Sequence, residues 1–448
     1  MKNKQYYYQN LLSFYKFNVP ANRKILEIMN KGYSILKELK PKKGICVNFF
    51  KSKKRFPGKN NPGLRFINTQ TRNFNLKGKF EYIILPDSLN QLDDIQRVIH
   101  KLRKLVTPES RIILNYYNFF WSPLLILAEK LGLRKRQTQS NWLSAGDIYN
   151  LLALEDFEIV KTGKRLLFPI YLPVISNFIN KYVGNLPIVN ELCLINYIIA
   201  RPIRIKKDKQ LTVSVVIPAR NEKGNIENAV KKLPKMGQHT EIIFVEGHSK
   251  DNTYREIKRV TKKYKNLDIK YTKQDGVGKG DAVKKGFAMA QGDILMILDA
   301  DLTVAPEELS KFYFAIASGK GEFINGSRLV YPMEKQAMRI LNILGNKFFS
   351  ITFSWMLSQK IKDTLCGTKA ISLENYKRIV ANQGYFGDFD PFGDFDLIFG
   401  SAKLNLKFIE IPIKYKAREY GETNISRFKH GFLLLKMTLF ALNKIKFV

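Results

Sequence analysis

The chain has 448 residues, of which 45% are hydrophobic and 12% are aromatic. This length favours two or more domains, and the apolar fraction excludes a mainly disordered protein. Lysine and arginine total 75 against 39 aspartates and glutamates, which gives a formal net charge of +36 and favours an anionic partner.

Four apolar segments in the first half of the chain predict β-strands with helices between them. They lie at residues 24–28, 44–47, 80–85 and 111–114. The charged segment RPIRIKKDKQ at residues 201–210 follows them and is typical of a linker. We therefore expect one α/β domain at residues 1–200 and a second domain at residues 211–448.

Strands and helices alternate regularly in the second half. Apolar runs predict strands at residues 213–217, 241–245, 267–271 and 294–298, and more polar segments predict helices at 225–233, 253–264 and 279–290. This alternation implies a parallel, doubly wound sheet of the α/β class. In such sheets, ligands bind at the carboxyl ends of the strands.

Two carboxylates, Asp299 and Asp301, directly follow the apolar run at residues 294–298. Side chains two residues apart on an extended backbone point the same way, so both would leave the end of a buried strand together. Hard oxygen ligands of this kind suit Mg²⁺ or Mn²⁺ held partly by the protein and partly by a diphosphate. A solvated turn is the alternative interpretation of the triplet alone.

Polar groups also follow the other predicted strands. The first strand ends in a segment that reads Pro218, Ala219, Arg220, Asn221, Glu222. Glu222 is the best candidate for binding a base or ribose, although acids near a helix N-terminus have the same pattern. Glu246 follows the second strand and is placed to accept hydrogen bonds from a base or ribose. The glycine-rich segment 276–282 lets the backbone approach a phosphate, which Lys279 neutralises.

Taken in order, these segments resemble the family 2 inverting glycosyltransferases of the nucleotide-diphospho-sugar (GT-A) fold. The resemblance is to the branch that contains dolichol-phosphate mannose synthase and bacterial polyprenyl-phosphate glycosyltransferases. It covers nearly all of residues 211–430 and rests on VSVVIPARNE, EIIFVEGHSKDNT, GKGDAVKKGF, GDILMILDADL, FINGSR, DTLCGTK, FGDFDL and REYGETNIS. The family has two adjacent acids after the second strand, where this chain has Glu246 and Gly247, so the nucleotide preference stays open.

The resemblance implies a role for each matching residue. Asp299 and Asp301 would hold the metal and the diphosphate, and Arg328 and Arg418 would face phosphates on the acceptor side. The donor site would comprise Pro218, Ala219, Arg220, Glu222, Glu246, Gly278, Lys279 and Asp299. A hydroxyl acceptor needs a general base, for which Asp394 is the matching residue, with Asp396 beside it. A lipid-phosphate acceptor is already anionic and needs none, and both acids could instead simply begin a helix.

The expected activity is metal-dependent, inverting transfer of a sugar from a nucleotide-diphospho-sugar to a lipid-phosphate or glycan acceptor. One alternative is a bifunctional methyltransferase and glycosyltransferase, which depends on the first half of the chain. An alternative of another class is a basic membrane-binding protein without catalysis. The Asp pair and the REYGET segment argue against that last alternative.

Two segments of the second half combine apolar and basic residues. Residues 337–359 predict either a buried core helix or a helix that lies on a bilayer. Residues 426–448 predict an amphipathic basic helix at an anionic membrane surface. No uncharged apolar run reaches the roughly 18 residues of a membrane-spanning helix, and residues 1–10 are too polar for a secretion signal.

The three cysteines, Cys46, Cys193 and Cys366, lie far apart in the chain. Their spacing excludes a disulfide framework and a zinc site, and favours a reducing compartment. Since no RNA-binding or zinc-finger motif is present, we expect no nucleic acid partner. These observations predict a cytoplasmic protein, peripheral on the inner face of the cell membrane.

Residues 20–200 resemble a class I methyltransferase domain, with Rossmann-like fold. The resemblance rests on KILEIMNKGYSILKELKPKKGICVNFF, INYYNFFWSPLLILAEKLGL and QSNWLSAGDIYNLL. Such domains have a glycine-rich turn after the first strand and an acid after the second. Here the turn at residues 28–32 has a single glycine, and Asn48 stands at the acid position. We therefore predict a methyltransferase-like fold that no longer binds S-adenosylmethionine and serves as a scaffold.

Overall fold

A computed structural model of the chain describes residues 2–29, 34–49, 63–69, 74, 76–92, 94–132, 143–203, 211–331, 340–382, 385, 393–420 and 427–448. Internal contacts divide the chain into two compact units. Unit 1 is Met1–Ile203 with Lys446–Val448, and unit 2 is Arg204–Ile445. Two assignments from the sequence change: Arg201 and Pro202 lie in a strand and not in a linker, and the last three residues pack with the first unit.

Unit 1 contains a sheet whose described strands follow the order β3-β2-β1-β4-β5-β7-β6. The strands are β1 (Lys24–Met29), β2 (Lys43–Asn48), β3 (Leu64–Asn68), β4 (Phe80–Leu85), β5 (Val106–Tyr117), β6 (Phe157–Arg165) and β7 (Ile195–Pro202). Strands β3, β2, β1, β4 and β5 are parallel to one another, whereas β7 is antiparallel to both β5 and β6. The sequence patterns predicted β1, β2, β4 and β5 but missed the other three. Strands β3 and β6 are half-exposed, so neither has a continuous apolar run.

The described helices of unit 1 are α1 (Lys2–Asn18), α2 (Ile95–Arg103), α3 (Ser122–Lys130), α4 (Ala145–Leu154) and α5 (Ile175–Lys181). Both faces of the sheet are buried by apolar clusters, one of which includes α1 and the other α2 and α4. Alternate residues of the central strands face opposite sides: Leu26 and Ile28 join one cluster, and Ile25 and Met29 the other. This is the pattern of a sheet covered on two sides.

Unit 2 contains a second sheet of the order β10-β9-β8-β11-β13-β12-β14 in the described residues. The strands are β8 (Val213–Ala219), β9 (Thr240–Glu246), β10 (Asp268–Lys273), β11 (Ile294–Ile297), β12 (Phe323–Ser327), β13 (Lys369–Ser372) and β14 (Phe408–Pro412). The predicted parallel arrangement holds for β8 to β11, but β13 is antiparallel to β11 and β12. The sheet is therefore mixed.

Helices cover both faces of this sheet. They are α6 (Ile226–Lys232), α7 (Thr253–Lys263), α8 (Lys279–Met289), α9 (Leu309–Ala317), α10 (Ile340–Leu357), α11 (Leu373–Ala381), α12 (Asp394–Lys403) and α13 (Arg427–Ala441). In β11, Ile294 and Met296 face one apolar cluster while Leu295 and Ile297 face the other, so the strand is buried on both sides. A strand held this firmly fixes the position of the residues that follow it.

Helix α10 has two different sides. Phe353, Met356 and Leu357 are buried in the core, while Leu344, Phe348 and Ile351 are exposed. One side of this helix is buried, as a core helix would be, and the other presents apolar side chains to the surface. Residues 337–339 of the predicted segment lie outside the described part. In the residues described, no helix combines the length and the apolar character needed to cross a membrane.

Helix α13 differs from the amphipathic helix predicted at residues 426–448. It buries Leu434 and Met437 but exposes Phe432, Leu435 and Leu439, so apolar side chains lie on both its buried and its exposed sides. One side packs on the core of unit 2, which a helix lying freely on a bilayer would not do. A π-helical turn follows at Leu442–Lys446.

Candidate functional site

The carboxyl ends of β8, β9 and β11 meet at one edge of the sheet of unit 2. Ala219 at the end of β8 pairs in register with Glu246 at the end of β9, and β11 runs parallel to β8 on its other side. Asp299 and Asp301 follow β11 at this same edge. The fold therefore gathers the polar segments that the sequence placed after each strand.

Asp301 is bound on both of its carboxylate oxygens. The backbone N–H and the hydroxyl of Thr303 donate to Oδ1 at 3.2 and 2.9 Å, and Nη2 of Arg418 donates to Oδ2 at 2.7 Å. The other guanidinium nitrogen, Nη1, donates to Oε1 of Glu222 at 3.1 Å. Arg418 thus connects the segment after β8 to the segment after β11.

Glu222 is a buried acid within this network. Nδ2 of Asn225 donates to its Oε2 at 2.7 Å. Burial raises the pKa of Glu222 to about 7, although Arg418 and Asn225 act in the opposite direction. A carboxyl that changes its charge near neutral pH is typical of functional sites.

Asp299 is paired with Lys279, the first residue of α8, at a distance of 2.6 Å from Nζ to Oδ1. Burial raises the pKa of Asp299, but the positive charges of Lys279, Lys369 and Arg328 outweigh it and lower that pKa below its usual value. Gly367 lies against the pair: a Cβ there would stand 2.1 Å from Oδ2 of Asp299 and 2.2 Å from Nζ of Lys279. A side chain at this position would therefore displace the ion pair.

The loops after β8 and β9 are tied to each other. The Ser249 N–H donates to Oε1 of Glu246 at 2.5 Å, and its hydroxyl accepts from the backbone N–H of Asn221 at 3.0 Å. The Lys250 N–H donates to the side chain of Asn221 at 2.8 Å. Glu246 is buried, Arg220 is exposed and Pro218 is half-buried. Hydrogen bonds therefore connect the two loops that were predicted to bind the nucleoside.

The glycine-rich segment forms a short turn that leads into α8. Gly278 has a φ of +97°, which a residue with a side chain rarely adopts, and it immediately precedes Lys279. The Gly276 N–H donates to Oδ2 of Asp281 at 2.8 Å, which closes the turn on the first residues of the helix. Lys279 is thereby held at the end of α8 that favours anions.

Arg328 has a different partner from the one that the sequence predicted. Its Nε and Nη2 form a two-point contact with the fully buried Asp363, at 2.7 and 2.8 Å, and its planar group stacks over Tyr415 at 5.1 Å. Asp363 also accepts from Nδ2 of Asn346 at 2.8 Å. Arg328 thus holds the end of β12 in place, and its charge acts on Asp299 from there.

Of the two late acids, Asp396 has a described side chain. Asp396 lies 3.2 Å from Nζ of Lys284, which is further along α8 than the Lys279 that binds Asp299. Asp394 begins α12, and its side chain lies outside the described residues. Gly393, with a φ of +73°, brings this helix start against Gly280, where a Cβ would stand 2.7 Å from the Gly280 Cα. The start of α12 is therefore next to the start of α8.

Among the residues of this site that the sequence analysis did not single out are Thr303, Asp363 and Gly367. Asp363 and Gly367 both belong to the DTLCGTK segment, which had been quoted only as part of a resemblance. An acid and a glycine flanking a short apolar stretch give no local pattern, since their partners lie elsewhere in the chain. The only available signal was that segment's place in the order of motifs.

The carboxylates at this edge of the sheet could bind a divalent cation. In the described residues, no group of three or more histidines, cysteines, aspartates and glutamates is arranged to hold a metal ion. Asp299 and Asp301 offer carboxylate oxygens, which are ligands that Mg²⁺ and Mn²⁺ prefer. Two carboxylates fit a cation that takes its remaining ligands from a diphosphate and water.

Comparisons with known proteins concern unit 2. Residues 214–377 match the profile of the family described as Glycosyl transferase family 2. A UDP-N-acetylglucosamine--dolichyl-phosphate N-acetylglucosaminyltransferase of Methanococcus voltae is 28% identical over 246 residues, which is 50% of this chain and 96% of that protein. A dolichol-phosphate mannosyltransferase of Pyrococcus furiosus is 36% identical over 122 residues, 27% of this chain and 34% of that protein.

One solved structure among those that match is glucosyl-3-phosphoglycerate synthase from Mycobacterium tuberculosis in complex with uridine diphosphate. It is 17% identical and has a TM-score of 0.39, with 52% of this chain and 80% of that chain covered. A score this low supports no statement about ligands.

Proposed function

The chain carries a glycosyltransferase family 2 domain and is an enzyme of that class, and from this premise we propose that it transfers a sugar from a nucleotide-diphospho-sugar to a polyprenyl-phosphate acceptor. The reaction would be inverting and metal-dependent. The observation that carries the proposal is the Asp299 and Asp301 pair at the carboxyl edge of the sheet, held by Lys279 and Arg418.

The acceptor class is proposed from the relatives. The Methanococcus and Pyrococcus proteins are both named for transfer to dolichyl phosphate or dolichol phosphate. A phosphate oxygen of such a lipid is already a nucleophile, so no residue has to remove a proton from it. This acceptor agrees with a site in which Asp396 is paired with Lys284.

We assign the acidic residues to the nucleoside and the metal, and the basic residue Lys279 to the diphosphate. Glu246 and Glu222 would bind the nucleoside, and Lys279 would bind the diphosphate at the N-terminal end of α8. Asp299 and Asp301 would hold Mg²⁺ or Mn²⁺, which when bound offsets the negative charge that grows on the departing diphosphate. Arg418, which donates one hydrogen bond to Asp301 and one to Glu222, would keep these two carboxylates in place.

We also propose that the enzyme works at the inner face of the cell membrane, in the cytoplasm, as a peripheral protein. The acceptor's polyprenyl chain requires a lipid phase. The exposed apolar side chains Leu344, Phe348 and Ile351 on α10 and Phe432 and Leu439 on α13 support contact with one.

The test is sugar release or transfer with Mn²⁺ from a panel of UDP- and GDP-sugars, using full-length protein. Asp301→Asn and Asp299→Asn should each lower kcat/KM by about 100-fold or more, because a metal stabilises the transition state by several kcal/mol. Asp293→Asn is the matched control, since Asp293 is an exposed acid that precedes β11 at the other end of the strand. Activity of Asp301→Asn equal to that of the control would refute the metal role.

A further inference from the structure

Unit 1 has a short sequence motif that occurs twice between β6 and β7. Leu172-Pro173-Val174-Ile175 and Leu186-Pro187-Ile188-Val189 share the order leucine, proline and two β-branched residues. The Ile175 N–H donates to the Pro173 carbonyl at 2.7 Å, and the Val189 N–H donates to the Pro187 carbonyl at 2.8 Å. Each motif is thus a three-residue γ-turn with a β-branched residue at its centre.

These turns have the less favourable of the two γ-turn geometries. Val174 has φ 63° and ψ −51°, and Ile188 has φ 69° and ψ −54°. This geometry is rare and strained, and a branched side chain at positive φ adds to the strain. Such conformations persist only where the surrounding structure imposes them, and they are concentrated at functional sites.

Side-chain hydrogen bonds hold the first of these turns in place. The buried hydroxyl of Ser176 accepts from the Leu172 N–H at 2.6 Å and lies 2.7 Å from the Ile170 carbonyl, which locks the first turn. Asn180 accepts from the Phe168 N–H and donates to the Phe168 carbonyl, both at 2.8 Å. These polar contacts therefore hold the first strained turn beneath an apolar surface.

The strained side chains have no packing role. Val174 is 81% exposed and Ile188 is 85% exposed, so neither contributes to the core. Further exposed apolar side chains adjoin them, including Phe178 on α5. The neighbouring turn before α3 presents Phe119 and Phe120, and it is joined to this region because Nε1 of Trp121 donates to the Leu192 carbonyl at 2.8 Å.

The charge of this region is one-sided. No aspartate or glutamate occurs from residue 159 to residue 190, whereas Lys161, Lys164, Arg165 and Lys181 do. Residues 112–128, which include Phe119 and Phe120, contain no charged residue, and one acid and one cation, Glu129 and Lys130, follow them. Glu191, the acid that follows, is paired with Lys164. In and beside the two segments the cations Lys130, Lys164, Arg165 and Lys181 outnumber the acids Glu129 and Glu191. An apolar surface with an excess of positive charge is complementary to an anionic lipid surface.

We propose that residues 119–131 and 170–192 of unit 1 form a membrane-docking surface, in which Val174 and Ile188 insert among the acyl chains of an anionic bilayer. The γ-turns place two compact apolar side chains at the tips of the surface, and Lys181 faces the lipid phosphates. This inference goes beyond the proposed transfer reaction, which uses only residues of unit 2. It gives the methyltransferase-like unit a lipid-binding role that needs no cofactor.

The test is sedimentation of the full-length protein with vesicles of phosphatidylcholine, with or without phosphatidylglycerol. Val174→Asn/Ile188→Asn should weaken binding to the anionic vesicles by roughly tenfold or more, because two inserted apolar side chains are lost. Leu154→Asn/Phe314→Asn is the matched control, since these side chains are similarly exposed, at 66% and 65%, outside the proposed surface. The control should bind nearly as the unchanged protein does.

A second readout separates docking from folding. Asparagine tolerates positive φ better than valine or isoleucine, so the double variant should unfold at the same or a higher temperature. A lower unfolding temperature would mean that the two side chains serve the fold, and the proposal would be overturned. Unchanged binding of the variant, or equal binding to vesicles without phosphatidylglycerol, would overturn it too.

Sugar release from the donor distinguishes the two proposals. The Val174→Asn/Ile188→Asn variant should retain it, since neither residue belongs to unit 2, whereas Asp301→Asn should lose sugar release and keep vesicle binding. If the variant instead changed the protein's mass in solution by light scattering, the surface would be a contact between copies of the chain, and the lipid role would be rejected.

Discussion

Arg418 carries the charge balance of the candidate site. Its guanidinium reaches Asp301 at 2.7 Å and the buried Glu222 at 3.1 Å, and the negative charge of Asp301 itself raises the pKa of Glu222 in part. The two acids would repel each other without the arginine between them. Lys279 has the same relation to Asp299. Asp299 and Asp301 are thus each paired with a different cation.

The raised pKa of Glu222 predicts that the stability of the protein depends on pH. Burial raises its folded-state pKa to about 7 from an unfolded value near 4.5, so the folded protein binds this proton more tightly. The contribution to stability is complete below about pH 4.5 and is lost as the pH rises to 7, by an amount of order 3 kcal/mol. Glu222→Gln should remove this loss, so its unfolding temperature relative to the unchanged protein should rise between pH 5 and pH 8.

Glu256→Gln on α7 is the control for that experiment. Arg259 lowers the pKa of Glu256, so its stabilising charge is lost only when the pH falls below about 4.5. No change relative to the unchanged protein is expected between pH 5 and pH 8. If Glu222→Gln behaved like this control, the acid would not titrate near neutral pH.

At the scale of elements, one buried ion pair joins three segments of unit 2. Arg328 follows β12, Asp363 precedes β13, and Asn346 lies on α10, and all three meet at the Asp363 carboxylate. Burial lowers the pKa of the arginine while Asp363 raises it, and the net effect is a pKa above the usual value. A two-point contact of this kind fixes direction as well as distance.

Breaking this pair should destabilise unit 2 strongly. Asp363→Leu or Arg328→Met leaves an unpaired charge in the interior, which costs about 3–5 kcal/mol. The Arg328→Met/Asp363→Leu double variant removes both charges and should unfold at a temperature above that of either single variant. Thermal unfolding of the four proteins measures this coupling, and losses that simply add would show that the pair acts as two independent residues.

In the whole molecule, the two α/β units differ in whether they keep the polar residues that their predicted ligands need. The described strands of unit 1 follow the order β3-β2-β1-β4-β5-β7-β6, with β7 antiparallel to its neighbours, and the methyltransferase-like fold of this unit stays a prediction. Asn48 at the end of β2 is buried, and its amide donates to Asn68 at 3.1 Å. No carboxylate stands there to bind a ribose. Of the predicted turn at residues 28–32, residues 30–32 lie outside the described part.

Titration calorimetry tests the prediction for unit 1. We expect S-adenosylmethionine to give no binding heat with the full-length protein, because the acid position lacks a charge and the turn has a single glycine. A nucleotide-sugar with Mn²⁺, titrated into the same sample, serves as the control for folded protein. Micromolar affinity for S-adenosylmethionine would instead favour the bifunctional alternative.

The amino-acid sequence by itself determined the strands of the candidate site and the residues that follow them. An apolar run such as 294–298 forms a buried strand for local reasons, and the acids after it inherit their place at the sheet edge. The four strands β8 to β11 were therefore predictable, as was the position of Asp299 and Asp301.

Only the tertiary structure decided the pairings. Arg418 lies 117 residues from Asp301 and 196 from Glu222, and Arg328 lies 35 from Asp363. No periodicity spans such separations, because these contacts depend on the path of the whole chain. The same holds for Val174 and Ile188: their apolar segment resembles a core segment, and only its fold turns both side chains outward. Local spacing specifies elements, whereas partners and exposure come from how the elements pack.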